Sequence, residues 1–106
     1  MRNRLNEILN TINGFYLYTD ELARQYTLLI KESLEIIRRL EPPPTSMLDN
    51  AKNDAIIELG NELANRMTDH FFISTAERKK SEFKISKMLA GVAIGNVLSN
   101  MPADES

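Results

Sequence analysis

A chain of 106 residues, 42% hydrophobic and 26% charged, has the composition of one folded domain spanning 1–106. Its formal charge of −2 offers no global attraction to nucleic acid or to an anionic membrane. With no cysteine and a single histidine, the chain excludes a disulfide framework, thiolate metal sites and histidine-pair metal sites.

The lack of disulfide staples and of an apolar leader points to the cytoplasm. The longest uncharged run, Met88 to Ala103, contains Asn96, Ser99 and Asn100. It falls short of the roughly 20 apolar residues that a membrane span requires, so no membrane partner is expected.

In chain order, the first feature is a seven-residue repeat running from Leu5 to Leu40. One column holds Ile8, Phe15, Leu22, Leu29 and Ile36, and the next holds Leu9, Tyr16, Ala23, Ile30 and Ile37. A third holds Leu5, Ile12, Thr19, Tyr26, Ser33 and Leu40. This periodicity predicts one amphipathic helix over about residues 2–41, roughly 60 Å long. Its weak point is Gly14 to Thr19, where a glycine precedes an aromatic run that would also suit a strand. Thr19 followed by Asp20 and Glu21 also reads as the cap of a fresh helix. The alternative is therefore a self-contained four-helix bundle with a break at 14–19.

Pro42, Pro43 and Pro44 remove three donors and stop the helix. Ser46 with Asp49 then signals a second helix over about 46–70. Its apolar arc is Ala55, Ile56, Leu59, Leu63, Ala64, Met67 and Phe71, with Ile57 at one edge. The opposite face reads Asp54, Glu58, Asn61, Glu62, Asn65 and Asp69. After a hinge at 69–73, Ser74 with Glu77 signals a last helix over about 75–100, with a frayed tail at 101–106. That helix begins with Arg78, Lys79, Lys80, Lys84 and Lys87 and becomes apolar around its circumference from Met88 to Leu98. A helix apolar on all sides is expected to be surrounded by protein.

The expected fold is all-α: a long helix and two shorter antiparallel ones, in a bundle completed by dimerisation. Two shorter helices cannot cover the long one, so Leu5, Ile8, Leu9, Ile12, Phe15 and Tyr16 would project as an apolar stripe. Such a stripe marks an interface, with a second copy or an obligate helical protein as partner. Gly91 and Gly95 form a small-xxx-small pair suited to a close helix crossing in the same interface.

The remaining candidates are weaker. Lys80, Lys84 and Lys87 share a helical face that could track phosphates, although Glu77 and Glu82 dilute it and a solvated or internally paired face explains it as well. Ile85 to Val92, with Val97, echoes a helix-turn-helix, but Ala93 to Met101 has no Arg or Lys to meet DNA. Asp54, Glu58, Glu62 and Asp69 form an acidic row without a second carboxylate cluster to share a cation. His70 suits the end of a helix, where the dipole favours its charge.

The helix lengths and an intertwined dimer resemble the all-helical chorismate mutases. That family surrounds a dicarboxylate with several cations, whereas Arg24 and Lys31 fall outside the required spacing and Lys52 stands alone between Ser46 and Ala64. No catalytic residues, cofactor or small-molecule substrate are therefore expected. The function expected is a non-catalytic, cytoplasmic protein–protein interaction module of the adaptor, small-chaperone, immunity or anti-factor kind. The alternative is a dimeric nucleic-acid-associated regulator using Lys80, Lys84 and Lys87.

Overall fold

Helix α1 (Arg2–Asn13) stops where the heptad pattern runs on, in a computed structural model that describes residues 2–41 and 46–101. The amide of Gly14 donates to both Asn10 O and Thr11 O, and that of Phe15 to Ile12 O, so the last turn tightens. Residues 15–19 are non-helical. Thr19 is extended, and its hydroxyl oxygen accepts from the Leu22 amide at 3.0 Å. That cap, with Asp20 and Glu21 in the first turn, starts α2 (Asp20–Arg39) afresh. The single helix over 2–41 is therefore not formed, and the break at 14–19 is. Both helices bury members of the Leu5 column, but the α1 side adds Ile8 and Phe15 whereas α2 adds Ala23, Ile30 and Ile37, so the buried face shifts by one column across the break.

α1 folds back on α2, with Arg4 Nη2 donating to Glu32 Oε1 at 2.7 Å. It also lies antiparallel to the last helix, with Arg2 Nη1 donating to Leu98 O and Lys87 Nζ to Phe15 O. Wedged in this way, Leu5, Ile8 and Ile12 are fully buried and Phe15 nearly so. They are core residues rather than an exposed stripe. Leu9 is half-buried against that core, and only Tyr16 of the six is freely exposed. The apolar surplus that motivated a dimer through α1 does not exist.

The third helix, α3, spans 46–73 and contains a π-bulge over Glu62–Met67. Its inward positions run Leu48, Ala55, Leu59 and Glu62, then jump five residues to Met67 and on to Phe71. A continuous α-helix would turn Arg66 and His70 inward after Glu62. The extra residue of the bulge brings Met67 and Phe71 to the core instead. Glu62, three residues after Leu59, is inward by ordinary helical spacing ahead of that shift, although it was expected on the solvent face.

α4 (Ala76–Asn100) follows after Ser74 and Thr75. Its cap is Thr75, one residue beyond the expected Ser74, and Thr75 makes no side-chain cap bond. Met101 is buried rather than frayed, whereas the rest of the tail, the proline stop and the Ser46 cap side chain lie outside the described residues. The four helices form an all-α bundle measuring 46 × 22 × 17 Å, without strands among the described residues.

Candidate protein-binding groove

Only half of the apolar part of α4 is covered by the chain itself. Ala90, Ala93, Ile94, Val97 and Leu98 are buried, but Met88 is 64% exposed and Val92 63%. The expectation that this helix is enclosed on all sides thus fails: α1 and α3 flank it and leave its outer face open. Surplus apolar surface exists, but on α4 and not on α1.

The connector between α1 and α2 extends this open face. Tyr18 fastens it, with its hydroxyl 2.9 Å from both Asp20 Oδ1 and Phe71 O. Burial, and then the bond to Asp20, push that phenol up to about 12. The Tyr18 ring packs edge-to-face on Phe71 and Phe83, with centroids 6.3 and 5.5 Å away. The preceding Tyr16 and Leu17 are left 87% and 75% exposed.

Two depressions result between α4 and the α1–connector segment. The larger, about 630 Å³, is bounded by Tyr16, Leu17, Lys80, Phe83 and Lys84 and shares Lys87 with the smaller. The smaller, about 370 Å³, continues past Met88, Gly91 and Val92 opposite Leu9. Lys80 and Lys84 form no ion pair among the described residues. Lys79 instead pairs with Asp20 at 3.7 Å, and Glu82 with Arg66 at 3.2 Å. Lys87 Nζ sits 5.1 Å over the Phe83 ring, and partial burial, then the charge of Lys84, lowers its proton affinity.

Of the predicted interface glycines, Gly91 lies on the floor of the smaller depression, where an added Cβ would just touch Leu9 and Asn13. Gly95 opens to free space. The three predicted lysines do come together in one groove, and Tyr16 joins them. Leu5, Ile8, Ile12 and Phe15 do not.

This chain matches no known protein family, curated protein or solved structure.

The other sequence candidates disperse. The helix-turn-helix echo lies inside uninterrupted α4, so no turn is made at Gly91. Asp54 is exposed while Glu62 is buried, and the side chain of Asp69 lies outside the described residues. Among the described residues, no three acidic or histidine side chains converge to hold a metal ion. His70 is half-buried near the end of α3. Arg24 and Lys31 are exposed on α2, and Lys52 donates to Leu40 O, so these cations do not converge either.

One cluster escaped the sequence reading. Between α2, α3 and α4, the buried Tyr26 and Ser86 hydroxyls share a hydrogen bond, with Glu62 nearby. Glu62 Oε1 accepts from Arg66 at 3.2 Å, and its buried Oε2 has no partner. Burial is the first cause of the raised proton affinity of this carboxyl, which Ser86 and Arg66 oppose. Tyr26 and Ser33 sat in the third heptad column, which hinted at burial. Nothing in the local pattern marked the π-turn that returns Met67 and Phe71 to the core after Glu62.

Proposed function

We propose that this chain is a non-catalytic protein–protein interaction module acting in the cytoplasm, where its lack of cysteine is at home. The observation that carries the reading is the uncovered outer face of α4, with Met88 and Val92 exposed in a segment apolar around its circumference. Contiguous exposed apolar surface rimmed by charge is characteristic of interaction sites. Burying it against a partner helix follows helix-in-groove recognition. An adaptor, small chaperone, immunity or anti-factor role would use such a surface. No helix among the described residues is long and apolar enough to cross a membrane.

A second reading, a nucleic-acid-associated regulator, draws on Lys80, Lys84 and Lys87 beside the exposed ring of Tyr16. Affinity capture from the native host separates the two, using wild type, Met88→Glu/Val92→Glu and the control Leu28→Glu, whose site on α2 is also exposed. The interaction reading expects a protein partner lost only with the α4 double variant. Nuclease-sensitive capture, or capture unaffected by the double variant, would overturn it.

A further inference from the structure

We infer that the groove between α1 and α4 takes an acidic amphipathic helix of about three turns. This rests on the interaction-module reading and names the chemistry of its partner. The groove is polarised along its length. At one end stand Lys80, Lys84 and Lys87, and at the other the surface is Met88, Val92 and Leu9 around Gly91.

Along α4 the distance from Lys80 to Val92 is roughly 18 Å, the length of about twelve helical residues. The lining recurs at helical spacing, so a second helix can lay a ridge into it. A Cβ added at Gly91 would already reach contact with Leu9 and Asn13, so a larger side chain there would narrow the groove. Carboxylates in the first turn of the incoming helix would meet the lysines and also suit that helix's own dipole. Its apolar stripe would then cover Met88 and Val92. Lys80 and Lys84 form no ion pair among the described residues, since Asp20 pairs with Lys79 and Glu82 with Arg66, while Lys87 is held by Phe15 O.

Single-stranded nucleic acid fits the same lysines less well. It needs several stacking rings, and Tyr16 is the one exposed ring in the groove. Phe83 is buried, and Tyr18 packs edge-on in the aromatic cluster. Among the described residues, no arginine lines the groove for bidentate phosphate contact.

The test is fluorescence anisotropy with the full chain and four labelled probes. These are a 15-residue capped helical peptide with glutamates in its first turns and a leucine stripe, the same peptide with lysine for glutamate, its scrambled version, and a twelve-residue oligothymidylate. The acidic amphipathic peptide should bind at least tenfold tighter than the other three, and more weakly as salt rises. Lys80→Glu/Lys84→Glu should reverse the preference between the first two peptides. Lys80→Gln/Lys84→Gln should reduce it, both variants keeping the wild-type helical circular dichroism.

Equal binding of the scrambled peptide would overturn the inference. Sedimentation showing that the chain self-associates through Met88 and Val92 would overturn it too, yet would leave the interaction-module reading standing. Preferential binding of the oligonucleotide, lost in Lys80→Glu/Lys84→Glu, would overturn both.

Discussion

The Tyr26 hydroxyl of α2 and the Ser86 hydroxyl of α4 lie 2.8 Å apart in a site closed to solvent. Each satisfies the other where water does not reach, and together they pin the diagonal of the bundle. Removing one partner leaves the other desolvated and unpaired. Ser86→Ala should therefore cost about 1–3 kcal/mol and Tyr26→Phe about 1 kcal/mol, while the double variant should cost less than their sum. Urea unfolding of the four proteins checks this, and strict additivity would count against the bond.

Glu62 sets a pH dependence of unusual direction for an acid. Burial raises its carboxyl above the ordinary value of 4.5, so the folded chain binds that proton more tightly than the unfolded one. The stabilising contribution is complete below 4.5 and is lost as pH rises through the raised folded value. Asp20 and Glu32 act in the opposite sense. They are held low by Tyr18 and by Arg4, so their contribution fades as pH falls, and solvent exposure keeps it small. Glu62→Gln should thus melt at a higher temperature than wild type at pH 8, with the two converging towards pH 4.5. Melting curves across that range that run parallel would contradict the assignment.

Gly14 ends α1 without a positive φ, and an added Cβ would come no closer than 3.4 Å to Thr11 O. Nothing in the folded state therefore requires glycine there. Gly14→Ala should stabilise the chain by about 0.4–1 kcal/mol, chiefly by restricting the unfolded chain. Denaturant titration is the check. A loss of stability would show that the break between α1 and α2 depends on glycine itself.

The burial of α1 and the exposure of α4 predict opposite outcomes for apolar substitutions of similar size. Ile8→Ala should cost roughly 2–5 kcal/mol, since its site is fully enclosed. Met88→Glu and Val92→Glu should change stability by less than about 0.5 kcal/mol. A large loss in the α4 variants, measured by thermal unfolding, would place that face in the core and remove the groove.

How much of this was legible beforehand is clearest at Thr19 and Glu62. The heptad columns determined the helical class of the first forty residues and most of what α1 and α2 contribute to the core, because period alone selects which side chains can share a buried face. Thr19, Asp20 and Glu21 announced a helix start, and the structure uses them so. Whether the chain continues through Gly14 was undecidable from the repeat, since three apolar columns suit either a straight helix or two helices that each bury two of them. The return of α1 onto α4 decided it, and with it which apolar surface stays uncovered. The bulge that follows Glu62 was likewise beyond reach, because one extra residue in a helical turn leaves no mark in composition or spacing, and the polar side chain of Glu62 disguised its inward position. Sequence by itself determined which residues seek burial. Only the packing of four helices against one another decided which of them obtain it, because each buried face needs a neighbour whose position local propensity does not specify.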